Sequence, residues 1–147
     1  MKLRQLSLFL ENRPGALRLP CQVLGTAGID ILSLSLADTQ QFGILRLVVK
    51  EEDRARKVLE EAGCVVKVTD VLAVEVPDRA GGLGDMLGVF EGSGLSVEYL
   101  YPLVAGHRGK TAVLLLRLED PDRAAALLAA HKIRVLTREE AFEAVGA

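Results

Sequence analysis

Glu11-Asn12-Arg13-Pro14-Gly15-Ala16-Leu17 follows an apolar run, Leu6 to Leu10, and opens an apolar, helix-like segment. The same design returns as Pro77-Asp78-Arg79-Ala80-Gly81-Gly82-Leu83, at a shift of 81 − 15 = 66 residues. At that shift Gly28-Ile29-Asp30-Ile31 meets Gly94-Leu95-Ser96-Val97. Further on, Asp53-Arg54-Ala55 meets Asp122-Arg123-Ala124 at 122 − 53 = 69, so the second copy has gained three residues. The insertion is expected in the loop around Ala105-Gly106-His107-Arg108-Gly109. One unit has been written twice.

The repeat divides the 147 residues into two small domains, expected at 1–69 and 70–147. Domains of that size bury little surface alone and need a partner, most simply the other copy. Half of the residues are hydrophobic but only 4% are aromatic, so the cores must be built from Leu, Val, Ile and Ala. Charged residues interrupt every apolar run before the roughly 18 residues that a membrane-spanning helix needs. Met1-Lys2-Leu3-Arg4-Gln5 lacks the apolar segment of a secretory signal. The expectation is therefore a soluble, cytoplasmic protein with no membrane partner. The net charge of −2 offers no basic field for a nucleic acid. Cys21 and Cys64 form no CxxC and sit among apolar neighbours, as small buried hydrophobes do.

In the first copy, Leu6, Leu8 and Leu10 alternate with Gln5, Ser7 and Phe9 as in a half-buried strand over Lys2–Leu10. Pro14 fits the first turn of a helix running to about Ala27, and Gly28 suits its left-handed end. Strands at Ile29–Asp38 and Phe42–Val49 form a hairpin; a second helix spans Glu51–Ala62, and Cys64–Val68 supplies the last strand. The second copy repeats the order at Val71–Val76, Gly82–Glu91, Leu95–Leu103, Lys110–Leu118, Pro121–Ala130 and Ile133–Leu136. Arg138–Val145 adds a short helical tail. The order is βαββαβ twice. It predicts an α+β protein of two tandem ferredoxin-like units, each an antiparallel four-stranded sheet with two helices on one face. Ile29 to Leu36 and Ala112 to Leu116 put apolar side chains on both sides of their strands, so the second face is expected to be covered by the other copy or by another chain.

No catalytic motif occurs: there is no GxSxG, P-loop or GxGxxG, and His107 and His131 have no ligand-spaced Cys or carboxylate beside them. No metal, cofactor or catalytic residue is expected. The turn offers binding chemistry instead. Amides near Gly15, Ala16 and Leu17 could hold a carboxylate, while Asn12 and Asp30 could accept from an ammonium. The same residues also make good strand-to-helix turn chemistry with a solvated Asp30. Physics alone leaves both accounts open.

The turn, followed after one helix by Ala27-Gly28-Ile29-Asp30-Ile31, resembles the signature of ACT domains, small-molecule-binding regulatory modules of amino-acid metabolism. Ser35-Leu36-Ala37-Asp38-Thr39 and Phe42-Gly43-Ile44-Leu45-Arg46-Leu47 further resemble stand-alone bacterial proteins made of two ACT domains. The resemblance implies a ferredoxin-like fold, association of units through sheets or helices, and ligands, often amino acids, held between units. It assigns ligand contacts to Asn12, Pro14, Gly15, Ala16, Leu17 and Asp30. In the second copy they fall on Asp78, Ala80, Gly81, Gly82, Leu83 and Ser96, where Ala80 departs from the proline and Ser96 is a weaker ammonium partner. Tyr99 and Tyr101 are expected to fill an interface. The implied function is a non-catalytic, homodimeric amino-acid-binding regulator. The alternative is a subunit docking on a separate amino-acid biosynthetic enzyme, as acetolactate synthase small subunits do.

Overall fold

A computed structural model describes residues 2–38, 40–103 and 110–147. Its chain separates into two compact units, one of Arg4–Thr69 and one of Asp70–Ala147 joined by the first residues of the chain. The loop expected to hold the three-residue insertion, with His107, lies mostly outside the described residues.

The first unit contains β1 (Lys2–Glu11), α1 (Arg18–Thr26), β2 (Ile31–Asp38), β3 (Phe42–Val49), α2 (Glu52–Glu61) and the start of β4 (Val66–Pro77). Its strand order is β2-β3-β1-β4, the ferredoxin-like order, with β2 at the edge. Leu6, Leu8, Leu45 and Leu47 on the sheet meet Leu24 of α1 and Ala55 and Leu59 of α2, so both helices lie on one face. Cys64 packs against the same core, and burial raises its thiol pKa.

The second unit continues with α3 (Gly82–Gly88), β5 (Val97–Pro102), β6 (Thr111–Leu118), α4 (Pro121–Ala130), β7 (Val135–Leu136) and α5 (Arg138–Ala144). Its order, β5-β6-β4-β7, repeats the first. Leu72, Val74, Val76, Leu116 and Leu118 pack beneath Met86 of α3 and Leu128 of α4. Side chains alternate along β4, so Val71 and Ala73 face the other way, and they are buried too. Leu115 and Tyr101, cross-strand partners on that opposite face, are likewise buried. Both faces of this sheet are covered, as its apolar strands predicted. Thr137 and Glu140 start α5 with a reciprocal capping box, and the helix buries Ala141 and Phe142.

Two expectations need correction. The strands expected at Cys64–Val68 and Val71–Val76 are parts of one strand, because Lys67-Val68-Thr69-Asp70 carries no glycine or proline to break it. The first helix begins at Arg18 rather than Pro14. Gly15 has φ +84°, and the Ala16 N–H donates to the Arg13 carbonyl at 3.2 Å. Pro14 and Gly15 thus hold the central positions of a type II turn, which no helix can pass through.

The repeated Asp-Arg-Ala motif has a structural reason. Arg54 donates to the Ala27 carbonyl at the end of α1, and Arg123 donates to the Ser93 carbonyl, 2.6 Å away, after α3. In each copy the arginine satisfies a carbonyl that its neighbouring helix cannot pair.

Candidate functional site

The two turns have the same backbone. In the first, the Asn12 N–H donates to the Gln41 carbonyl (3.1 Å), Arg13 to Glu11 (2.9 Å) and Ala16 to Arg13 (3.2 Å). In the second, Asp78 donates to Lys110 (2.8 Å), Arg79 to Pro77 (3.0 Å) and Gly82 to Arg79 (3.0 Å). Gly15 and Gly81 have φ of +84° and +85°. A turn of this type requires the positive φ at its third position, which explains both glycines.

The surroundings differ. In the first copy the turn borders a cavity of about 90 Å³, where Asn12, Ala16 and Leu17 face Leu36 and Asp38 of β2 across Gly43 of β3. Three of the expected contacts therefore meet in one place. Ala16 has already committed its amide to the turn, whereas no hydrogen bond involves the amides of Gly15 or Leu17 among the described residues. The Asn12 side chain makes none either, and it is exposed. Pro14 and Gly15 shape the turn but do not line the cavity.

Asp30 is not part of this cavity. It precedes Ile31, which pairs with Val49, while Asp38 at the far end of the strand pairs with Gly43 beside the turn. At about 3.3 Å per residue, roughly 25 Å separates the two aspartates. Sequence reading missed Leu36, Asp38 and Gly43. The available signal was the glycine inside the apolar strand β3. A Cβ on Gly43 would lie 3.2 Å from Leu36 Cδ1.

In the second copy the expected contacts are dispersed. Gly82 lines one cleft, with Pro77, Met86 and Ile133, and Ser96 lines another, with Glu98, Glu119 and Asp122. A Cβ on Gly82 would stand 2.2 Å from the Pro77 carbonyl oxygen, so this glycine answers to packing. Arg79 folds over its own turn, with one guanidinium nitrogen on Ala80 O (3.1 Å) and the other on Asp85 (2.7 Å). Tyr101 is buried opposite the helices and Tyr99 is half-buried.

Among the described residues no three His, Cys, Asp or Glu side chains converge as a metal site, and no helix is long and apolar enough to cross a membrane. His131 caps its own helix, Nδ1 lying 3.0 Å from the Leu127 carbonyl.

The duplicated turn on a duplicated βαββαβ frame agrees with the comparison to known families, where the model for an ACT domain pair matches residues 1–145. The chain belongs to the ACT domain pair family. A crystal structure of a protein from Bacteroides thetaiotaomicron is 31% identical, covers 97% of each chain and superposes with a TM-score of 0.87. The regulatory subunits of aspartate kinase from Thermus thermophilus and Thermus flavus share the fold at 14% and 18% identity, with TM-scores of 0.60 and 0.62. The former covers 86% of this chain and 91% of its own, the latter 88% and 90%. No curated protein matches by sequence. Membership in this family supports a regulatory, ligand-binding role for the ACT pair.

Proposed function

We propose that this ACT pair is a non-catalytic regulator that binds an amino acid at an interface between two chains, using the turn of the first copy. The observation that carries this reading is the incompleteness of the first-copy cavity. At about 90 Å³ it holds little more than the polar end of an amino acid, and its ammonium partner from the family pattern, Asp30, sits at the wrong end of β2. An antiparallel pairing of β2 with β2 of a second chain would bring the partner chain's start of β2 to the Asn12 turn. The edge strand fits such pairing: Leu34 and Leu36 are 50% and 47% exposed, with no proline or lysine to discourage it. Ligand binding and association are then coupled, because the ligand stabilises only the paired geometry.

A thermal-shift screen against the twenty amino acids, with Asn12→Ala and Asp30→Ala alongside, tests this. A ligand at 100 times its Kd stabilises by about 2.7 kcal/mol. One chemical class should raise Tm for the wild type and for neither variant; no shift with any amino acid at millimolar concentration contradicts the proposal.

A second reading, docking on a separate amino-acid biosynthetic enzyme, draws on the exposed Phe9, Phe42 and Val65 of the first copy. A stable, ligand-independent complex with such an enzyme in cell extract would favour it.

A further inference from the structure

Leu36 and Gly43 are matched to each other. Gly43 sits in β3 between Leu10 of β1 and Asp38 of β2, and Leu36, two residues before Asp38, points to the same face of the sheet. A Cβ on Gly43 would stand 3.2 Å from Leu36 Cδ1, inside the roughly 3.5–4.0 Å of an ordinary carbon contact. The leucine lies across β3 in space that a side chain at position 43 would need.

The second copy has neither half of this arrangement. Pro102 pairs with Leu114 as Leu36 pairs with Leu45, and Ala112 pairs with Val76 as Gly43 pairs with Leu10. A proline ring is too short to reach across the sheet, and a methyl group stands where the leucine would go. The same βαββαβ frame is therefore built without the pair. Leu36 also adds little to the core, being 47% exposed.

What the pair shapes is the cavity. Asn12, Asp38 and the ion-paired Glu11 and Arg13 (3.0 Å) give it polar lining, while Leu10, Ala16, Leu17 and Leu36 make its apolar wall. Of these four, Leu36 is the one that stands on the edge strand, its far end resting on a glycine. At about 90 Å³ the cavity is far below the roughly 300 Å³ at which pockets for drug-sized ligands begin. Once the polar end of a ligand is seated, the leucine leaves room for a hydrogen, a methyl or a hydroxymethyl group.

We propose that Leu36, seated over Gly43, is the specificity-determining residue of the first-copy site and restricts it to the smallest side chains, those of glycine, alanine and serine. The proposal rests on the binding role proposed above and adds which side chains that role admits. Truncating the leucine extends the cavity into the space above Gly43, where a branched side chain then fits. One methylene too many in an apolar pocket costs roughly 10-fold to 200-fold in discrimination, so the selectivity should be large.

Calorimetric titration of the full chain with glycine, L-alanine, L-serine, L-valine and L-leucine tests this, on the wild type, Leu36→Val, Leu36→Ala and Leu34→Ala. The wild type should bind at least one of the three small amino acids about tenfold or more tighter than valine and leucine. Leu36→Ala should bring valine or leucine level with the small ones or ahead of them, and Leu36→Val should move the ratio the same way by less. Leu34→Ala should leave it unchanged, since Leu34 is as exposed on the same edge but does not line the cavity. A wild type that prefers valine or leucine, a preference that both Leu36 variants leave in place, or binding that both abolish would overturn the assignment while amino-acid binding by the wild type stands. An equal change in Leu34→Ala would overturn it too, as an effect of the edge strand rather than of the cavity wall. Silence with all five at millimolar concentration would also overturn it, and the screen of all twenty amino acids then shows whether the binding role falls with it.

Discussion

The turns Arg13–Ala16 and Arg79–Gly82 share three backbone hydrogen bonds and a glycine φ within a degree, yet they lead into different sites. After the first, Leu17 intervenes before α1 starts at Arg18, and a small cavity opens toward β2. After the second, α3 starts at once on Gly82, packed against the Pro77 carbonyl. Equal backbone chemistry thus fixes the direction of the chain and nothing more. What each corner can bind follows from the side chains beyond the turn.

Gly82→Ala breaks the comparison most severely. With a Cβ 2.2 Å from Pro77 O the helix must move, and a loss of about 3 kcal/mol is expected in denaturant unfolding. The matching exchange in the first copy, Ala16→Gly, should cost less than about 1 kcal/mol. Gly15→Ala and Gly81→Ala should each cost about 1–2 kcal/mol, and by similar amounts, since both glycines need the left-handed region but have open or yielding space for a methyl. Costs differing by more than about 1 kcal/mol would show that the turns are not equivalent. Exchanging the helix-end residues sharpens the contrast, since Lys132 (φ 58°) follows α4 where Gly63 (φ 88°) follows α2. Lys132→Gly should stabilise, and Gly63→Lys destabilise, by about 1 kcal/mol each.

The smallest effect concerns α5. The Thr137 amide and the Arg134 guanidinium hold the Glu140 carboxyl below its ordinary pKa. A depressed folded-state pKa contributes stability that is full above the unfolded-state value and is lost as pH falls through the folded one. Amide protection in α5 should therefore fall below the ordinary carboxylate range, earlier than that of α4, and Glu140→Gln should remove this dependence in hydrogen-exchange measurements.

Most of the frame was legible because it was written twice: Gly28 and Gly94, Arg54 and Arg123, and the two turns each confirm a position that one copy alone would leave ambiguous. Periodicity located the strands, but it could not join two of them into β4, since a continuous strand and two short ones have the same alternation. Pro14 misled the reading of α1, because proline suits both the first turn of a helix and the second position of a type II turn, and only the φ of Gly15 separates these. Of the site, Asn12, Ala16 and Leu17 were legible from the turn. Leu36 and Asp38 were not, because they reach the cavity through the pairing of β2 with β3, which no local pattern states.

Complementation between two inactive chains tests the shared-site account most directly. If Asn12 of one chain and Asp30 of another hold one ligand, mixing Asn12→Ala with Asp30→Ala chains forms mixed dimers in which one of two sites is intact. Calorimetric titration with the amino acid found in the screen should then recover binding at about a quarter of the wild-type stoichiometry, with wild-type affinity, although neither variant binds alone. Absence of binding in the mixture, with mixed dimers present by native mass spectrometry, would contradict a site built across two chains.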